Sequence, residues 1–240
     1  MSAEAFLDVQ GVTKRFGGFQ ALSAVSLQVR QGERFGLIGP NGSGKTTLIN
    51  CISGTLRTDG GRIVFEGRDV GGLAPHRRTR LGIARSFQIP KPFSSMTVLD
   101  NLAIPLEYAA RGHRDDVAGE AMAILGLMGL EGKAHVLSRA LTQIEMRKLE
   151  LARAMAAKPR LLVSDEAMAG LSSTEVDDIL AILLQLNQRG ITIIMIEHIM
   201  RAVMRFCERI VVLDAGERIA EGTPEEILRN QAVEKAYLGE

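Results

Sequence analysis

The sequence predicts an α/β chain with a largely parallel sheet, built around one glycine-rich loop and interrupted by a helical stretch. Three observations lead there. Gly39-Pro40-Asn41-Gly42-Ser43-Gly44-Lys45-Thr46 joins an apolar run, Arg34 to Ile38, to the first turns of a helix, Thr47 to Ile52. Short β-branched runs at 161–164, 191–196 and 210–213 are separated by longer segments, the pattern of buried parallel strands. From Thr97 to about Lys158 the apolar period becomes helical.

Taken in order, Phe6 to about Phe65 is strand-rich. Leu7-Asp8-Val9 and Leu22 to Val29 alternate apolar and polar residues, Arg62 to Phe65 reads as a further strand, and turns fall at Gly17-Gly18, Gln31-Gly32 and Asp59-Gly60-Gly61. Pro75 to Arg80 reads as a short basic helix whose His76, Arg77, Arg78 and Arg80 form a solvated face. Ile83 to Phe87 is a short strand. Thr97 is placed to cap a helix with Asp100 in its first turn, and Leu99, Leu102, Ala103 and Leu106 share one face. Helices follow at 118–128 and 144–157, broken by Gly126, Gly129 and Gly132. Beyond the strand 161–164, Glu175 to Gln188 is amphipathic, and 224–238 reads as terminal helices.

The 240 residues suffice for one sizeable core or two small lobes. Only 4% are aromatic against 46% hydrophobic, so Leu, Ile, Val, Ala and Met must fill the core. A net charge of +1 makes no electrostatic case for nucleic acid as a partner. Two cysteines, Cys51 and Cys207, are too few for a disulfide framework and point to a reducing compartment. The first residues have neither the basic nor the apolar region of a signal peptide. The longest aliphatic run, around Ile193 to Ile196, is far too short to span a bilayer, so membrane association is expected through a partner.

The 39–46 loop fits G-x-x-x-x-G-K-[ST] without mismatch. Its glycines let backbone N–H groups cradle phosphate oxygens at a helix N-terminus. Lys45 can reach the β- and γ-phosphates, and the Thr46 hydroxyl can ligate Mg²⁺. Asp165-Glu166, at the tip of the 161–164 strand, supplies an acid to hold Mg²⁺ and a neighbour to act as general base. His198, one buried strand later, can contact a γ-phosphate. Gln88, ending the 83–87 strand, can touch Mg²⁺ and the attacking water.

These residues, in this order, resemble the ATP-binding subunits of ABC transporters, from Phe6 to Glu240. The nearest likeness is to the branched-chain amino-acid importer ATPases, carried by Ile83-Ala84-Arg85-Ser86-Phe87-Gln88, Met96 to Leu102, Met168-Ala169-Gly170-Leu171, and the tail Ala220 to Glu226 with Ala236-Tyr237-Leu238-Gly239. The resemblance implies a P-loop NTPase of ABC type: a mixed RecA-like core with an antiparallel β subdomain (1–88 and 159–240) and a helical subdomain (about 89–158). It implies ATP and Mg²⁺ as cofactors. Phe16 falls where the family stacks on adenine, and Asn41, Gly42, Ser43, Gly44, Lys45, Thr46 and Thr47 line the phosphates. Catalysis would fall to Glu166, His198, Gln88 and Lys45, and the metal to Thr46, Gln88 and Asp165.

One departure stands out. The family signature Leu-Ser-Gly-Gly-Gln falls on Leu141-Thr142-Gln143-Ile144-Glu145, in register with Lys148 to Ala154. Thr142 keeps a hydroxyl to contact a partner's ATP. Gln143 and Ile144 add side chains where backbone approaches phosphate, and apolar Ile144 suits that place poorly. Ala167 and Ser172 are smaller departures. An asymmetric heterodimer with a second ABC ATPase subunit is therefore expected, a homodimer being the alternative. The resemblance also implies two membrane permease subunits docking near 89–93, a periplasmic solute-binding protein acting indirectly, and a peripheral place on the cytoplasmic face of a bacterial inner membrane. The function expected is ATP hydrolysis powering uptake of branched-chain amino acids or a related small polar solute. The alternatives are a urea or amide importer, or an ABC-type switch not coupled to transport.

Overall fold

The structure is a computed structural model that describes residues 5–86, 92–109 and 116–238. Two sheets organise it. β1 (Leu7–Phe16), β2 (Phe19–Val29), β4 (Gly60–Phe65) and β5 (Arg68–Asp69) form a four-stranded sheet in the order β2-β1-β4-β5, every pair antiparallel. β3 (Arg34–Ile38), β6 (Ile83–Ser86), β7 (Leu161–Asp165), β8 (Thr192–Ile196), β9 (Arg209–Asp214) and β10 (Glu217–Gly222) form a six-stranded sheet in the order β10-β9-β3-β8-β7-β6. Its strands run parallel except β10, which closes the edge as a hairpin with β9.

The parallel strands are buried on both faces, which is why their sequences read as continuous apolar runs. Alternate residues enter different cores. Leu161, Val163, Ile194, Ile196, Val211 and Leu213 join the core beneath the antiparallel sheet and α1 (Lys45–Ser53). Leu162, Ile193, Met195, Ile210 and Val212 face the other core, which collects α3 (Val98–Ala109), α4 (Val117–Met128), α5 (Gln143–Ala156), α6 (Ser173–Gln188) and α7 (Met200–Phe206).

The helices start where the sequence supplies caps. Thr97 and Asp100 close a reciprocal pair at α3, with Thr97 Oγ1 donating to Asp100 Oδ2 at 2.6 Å and the Asp100 N–H returning at 3.1 Å. Ser172 caps α6 through a box with Glu175, so this departure retains a capping oxygen. α8 (Pro224–Leu228) and α9 (Gln231–Leu238) end the described chain.

One expectation needs correction, and two elements, β10 and α7, went unread. Arg78 of α2 (Pro75–Leu81) does not belong to a solvated face: it is 2% exposed. Its guanidinium donates to the carbonyls of Cys51, Ile52, Gly71 and Leu73, closing the C-terminal end of α1. His76, Arg77 and Arg80 do remain exposed. β10 had no sequence signal, because its Glu-Arg-Ile-Ala-Glu-Gly is a polar edge. α7 is too short to establish a period.

Candidate active site

β3, β7 and β8 end at the same edge of the six-stranded sheet, and each hands the chain to a loop carrying candidate residues. Ligands of open α/β sheets bind beyond the carboxyl ends of the strands. The first loop is 39–46. Gly39, Gly42 and Gly44 hold φ of 149°, 82° and 102°. A Cβ on Gly39 would meet the Leu213 carbonyl oxygen at 2.0 Å, and one on Gly44 the Ala21 carbonyl oxygen at 2.8 Å. Gly44 caps α1 with no side chain, leaving the first N–H groups of that helix without side-chain acceptors. Asn41, Gly42 and Thr46 are exposed, Thr47 is half-buried and Ser43 is buried.

Lys45 is 6% exposed and turns back across the loop, donating to Gly39 O at 2.8 Å and Pro40 O at 2.9 Å. Burial pulls its ammonium below the ordinary lysine range, while the nearby carboxylates of Glu166 and Asp165 oppose that shift.

Asp165 ends β7, paired with Ile196 at the end of β8. Glu166 follows with φ 48°, a left-handed conformation uncommon outside glycine, and its N–H donates to Ile196 O at 2.9 Å. His198 Nε2 lies 3.0 Å from Glu166 Oε1. Phe16 ends β1 with 48% of its surface exposed, and Lys14 Nζ stands 5.5 Å from its ring centre. Gln88 lies outside the described residues.

Thr142 sits on another element, as the N-cap of α5. Its Oγ1 accepts from Glu145 N at 3.4 Å, and its own N–H donates to Glu145 Oε2 at 2.9 Å. Ile144 is half-buried against the helical core.

Sequence reading missed several contacts beside the candidate residues. Arg85 on β6 donates through Nη2 to Asp165 Oδ2 at 2.5 Å, and through Nη1 to Asn50 Oδ1 of α1 at 2.6 Å. It ties the acidic strand tip to the helix that follows the glycine-rich loop. Glu197 is 2% exposed, and its Oε1 accepts the Met168 N–H at 2.9 Å. Burial pushes its carboxyl up to about 7, opposed by the Met168 and His198 backbone N–H groups. Its position beside His198 was the only hint in the sequence.

Residues 22–169 match the ABC transporter family. This chain belongs to that family. Its tail, 217–240, also matches the branched-chain amino acid ATP-binding cassette transporter family. Among curated relatives, the high-affinity branched-chain amino acid transport ATP-binding protein BraF of Pseudomonas aeruginosa is 37% identical over 98% of both chains. LivG of Salmonella typhimurium, described in the same words, is 37% identical over 99% of both. A nucleotide-free ATP-binding cassette from an ABC transporter superposes with TM-score 0.91 at 32% identity, covering 99% of this chain and 100% of the other. The ADP conformation of the cassette MJ1267 gives 0.90 at 34%, again covering 99% and 100%. A dimeric structure of the cassette MJ0796 gives 0.82 at 27%, covering 91% and 98%. The ABC fold expected from the motifs is therefore this chain's fold, and the family is one of ATP-binding transporter subunits.

Proposed function

We propose that this ABC cassette hydrolyses ATP to drive uptake of branched-chain amino acids or a related small polar solute, as one of two cassettes beneath two permease subunits. The observation that carries the reading is the meeting of the 39–46 loop, Asp165, Glu166 and His198 at one edge of the sheet. The names of the relatives and the match of the tail support the solute class.

Phe16 would stack on the adenine, and the N–H groups of 41–47 with the Lys45 ammonium would hold the phosphates. The Thr46 hydroxyl and the Asp165 carboxylate are hard oxygen donors that fit Mg²⁺, with Gln88 as the further expected ligand. When bound, the ion neutralises charge on the phosphate oxygens. Glu166 takes a proton from the water that attacks the γ-phosphorus, and His198 holds Glu166 and the γ-phosphate in place.

The cassette is expected to pair with a companion that differs from it. At the N-terminus of α5, where the partner's phosphate would arrive, the Glu145 carboxylate already accepts the Thr142 N–H. An acid there opposes a second anion. The Gln143 and Ile144 side chains do not supply the bare backbone of two glycines. This chain's own phosphate loop and acidic tip carry no such defect.

Permease docking would fall near 89–93. Within the described part, Phe93 is 44% exposed while Asn101 and Ser138 hold its backbone. Among the described residues no helix is long and apolar enough to cross a membrane; attachment to the cytoplasmic face of the inner membrane would come through the permeases.

The test is the solution mass of Glu166→Gln with and without MgATP, alone and with a companion cassette. The expected result is ATP binding without pairing alone, and pairing once the companion is present. Pairing alone overturns the heterodimer, and failure to bind ATP overturns the whole reading.

A further inference from the structure

The loop that leaves Asp165, residues 166–172, is gripped at successive positions by side chains of its own chain. Glu197, from the end of β8, accepts the Met168 N–H at 2.9 Å. Arg147, on the second turn of α5, donates through Nη2 to the Ala169 carbonyl at 3.1 Å. Gln143, the first residue of α5, lays its amide over Gly170, where a Cβ would meet Nε2 at 2.7 Å. Gly170 has φ 78°, so the position needs glycine for its backbone as well as for this close approach.

Arg147 is 9% exposed, and its guanidinium faces the charges of Glu197, Glu150 and Glu166. The grips therefore join three pieces of chain. One is α5, whose N-terminus is offered to a partner's ATP in the two-cassette reading. One is the loop headed by Glu166, which serves this chain's own ATP. The third is the strand end that carries His198.

We propose that Gln143 and Arg147 are positioning residues that fasten the N-terminus of α5 to the chain's own 166–172 loop, coupling the two ATP sites that the cassette helps to form. Gln143 then has a use where the family has glycine: its side chain turns onto Gly170. The fastening acts within the cassette, so displacing α5 at one site displaces the loop behind Glu166 at the other. The coupling rests on the two-cassette reading; the contacts themselves do not.

The experiment compares wild type, Gln143→Ala, Arg147→Met and Arg147→Lys. The isolated full chain is scored for ATP affinity, and the assembled transporter for ATP-dependent pairing and for the Hill coefficient of hydrolysis. The wild-type coefficient is expected to lie clearly above 1, with about 2 the limit set by two coupled sites. Gln143→Ala and Arg147→Met are expected to lower it toward 1 with unchanged ATP affinity, and Arg147→Lys to restore most of it. A loss of fold alone lowers the active fraction and leaves the coefficient where it was. Should Arg147→Met fail to fold, Gln143→Ala decides, because Gln143 is exposed. Variants with the wild-type coefficient overturn the proposal, as does a wild type that pairs in ATP with a coefficient of 1. A wild type that never pairs overturns the two-cassette reading and the coupling with it.

Discussion

His198 Nε2 stands 3.0 Å from Glu166 Oε1, across the ends of two neighbouring parallel strands. With the imidazole nitrogen donating, the contact aims a side chain whose backbone already sits at φ 48°. A non-glycine residue in that region costs on the order of 1 kcal/mol. The Glu166 N–H bond to Ile196 O and the imidazole contact hold it there.

Replacing the base leaves binding and removes the chemistry. Glu166→Gln should retain ATP affinity and lose hydrolysis by about 10²–10⁴-fold, the usual range for a positioned base. His198→Ala should follow in the same direction. Turnover and ATP affinity measured on the same preparations check this: a variant that loses affinity instead places these residues in binding.

Arg85 should matter through Asp165. The pair is nearly buried, with 11% and 6% of the two side chains exposed. Arg85→Met leaves the carboxylate without its guanidinium, a loss of about 3–5 kcal/mol for a buried pair. MgATP should restore more stability to this variant than to wild type, because a cation beside Asp165 offsets the missing charge. Urea unfolding with and without MgATP reads both effects. Equal stabilisation of both proteins would show that Arg85 serves packing alone.

Glu197 should leave a mark on the pH dependence of stability. Its folded carboxyl titrates at about 7, above its ordinary 4.5. Between those values the folded state holds a proton that the unfolded state has lost, so stability falls as pH rises through the window and levels off above it. The full effect is on the order of 3 kcal/mol. Glu197→Gln keeps an acceptor for Met168 N–H and removes the titration. Its melting temperature should therefore fall less than wild type's between pH 5 and about 7.5. Parallel curves for the two proteins would contradict the assignment.

The sequence exposed those parts of the fold and of the site that lie on one short stretch. The 39–46 loop, the 161–165 strand with Glu166, and Thr97 with its cap each have partners within a few residues or a fixed strand–loop–helix frame. Arg78, Arg85, Arg147 and Glu197 were not legible as parts of a network. Their partners lie as far away as Cys51, Asp165, Ala169 and Met168. A charged residue read from composition is assigned to the surface, and only the tertiary fold shows a carbonyl or carboxylate waiting inside. β10 escaped for the opposite reason, since an edge strand needs little apolar pattern.

Ile144 separates two explanations of the altered signature. Its apolar side chain looked misplaced beside a phosphate, yet the structure packs it against the helical core. Restoring glycine there removes that packing and adds backbone freedom in the first turn of α5, a loss of about 1–2 kcal/mol. Ile144→Gly should therefore melt earlier and gain no turnover. Glu145 is the more consequential change, because its carboxylate lies on the helix N-terminus and caps Thr142. Glu145→Gln keeps a capping oxygen and removes the charge, and should strengthen ATP-dependent pairing with a second copy of this chain. Pairing assays with both variants decide between them. A gain with Ile144→Gly and none with Glu145→Gln would place the obstacle at the side chain, and the reverse places it in the charge at the mouth of the helix.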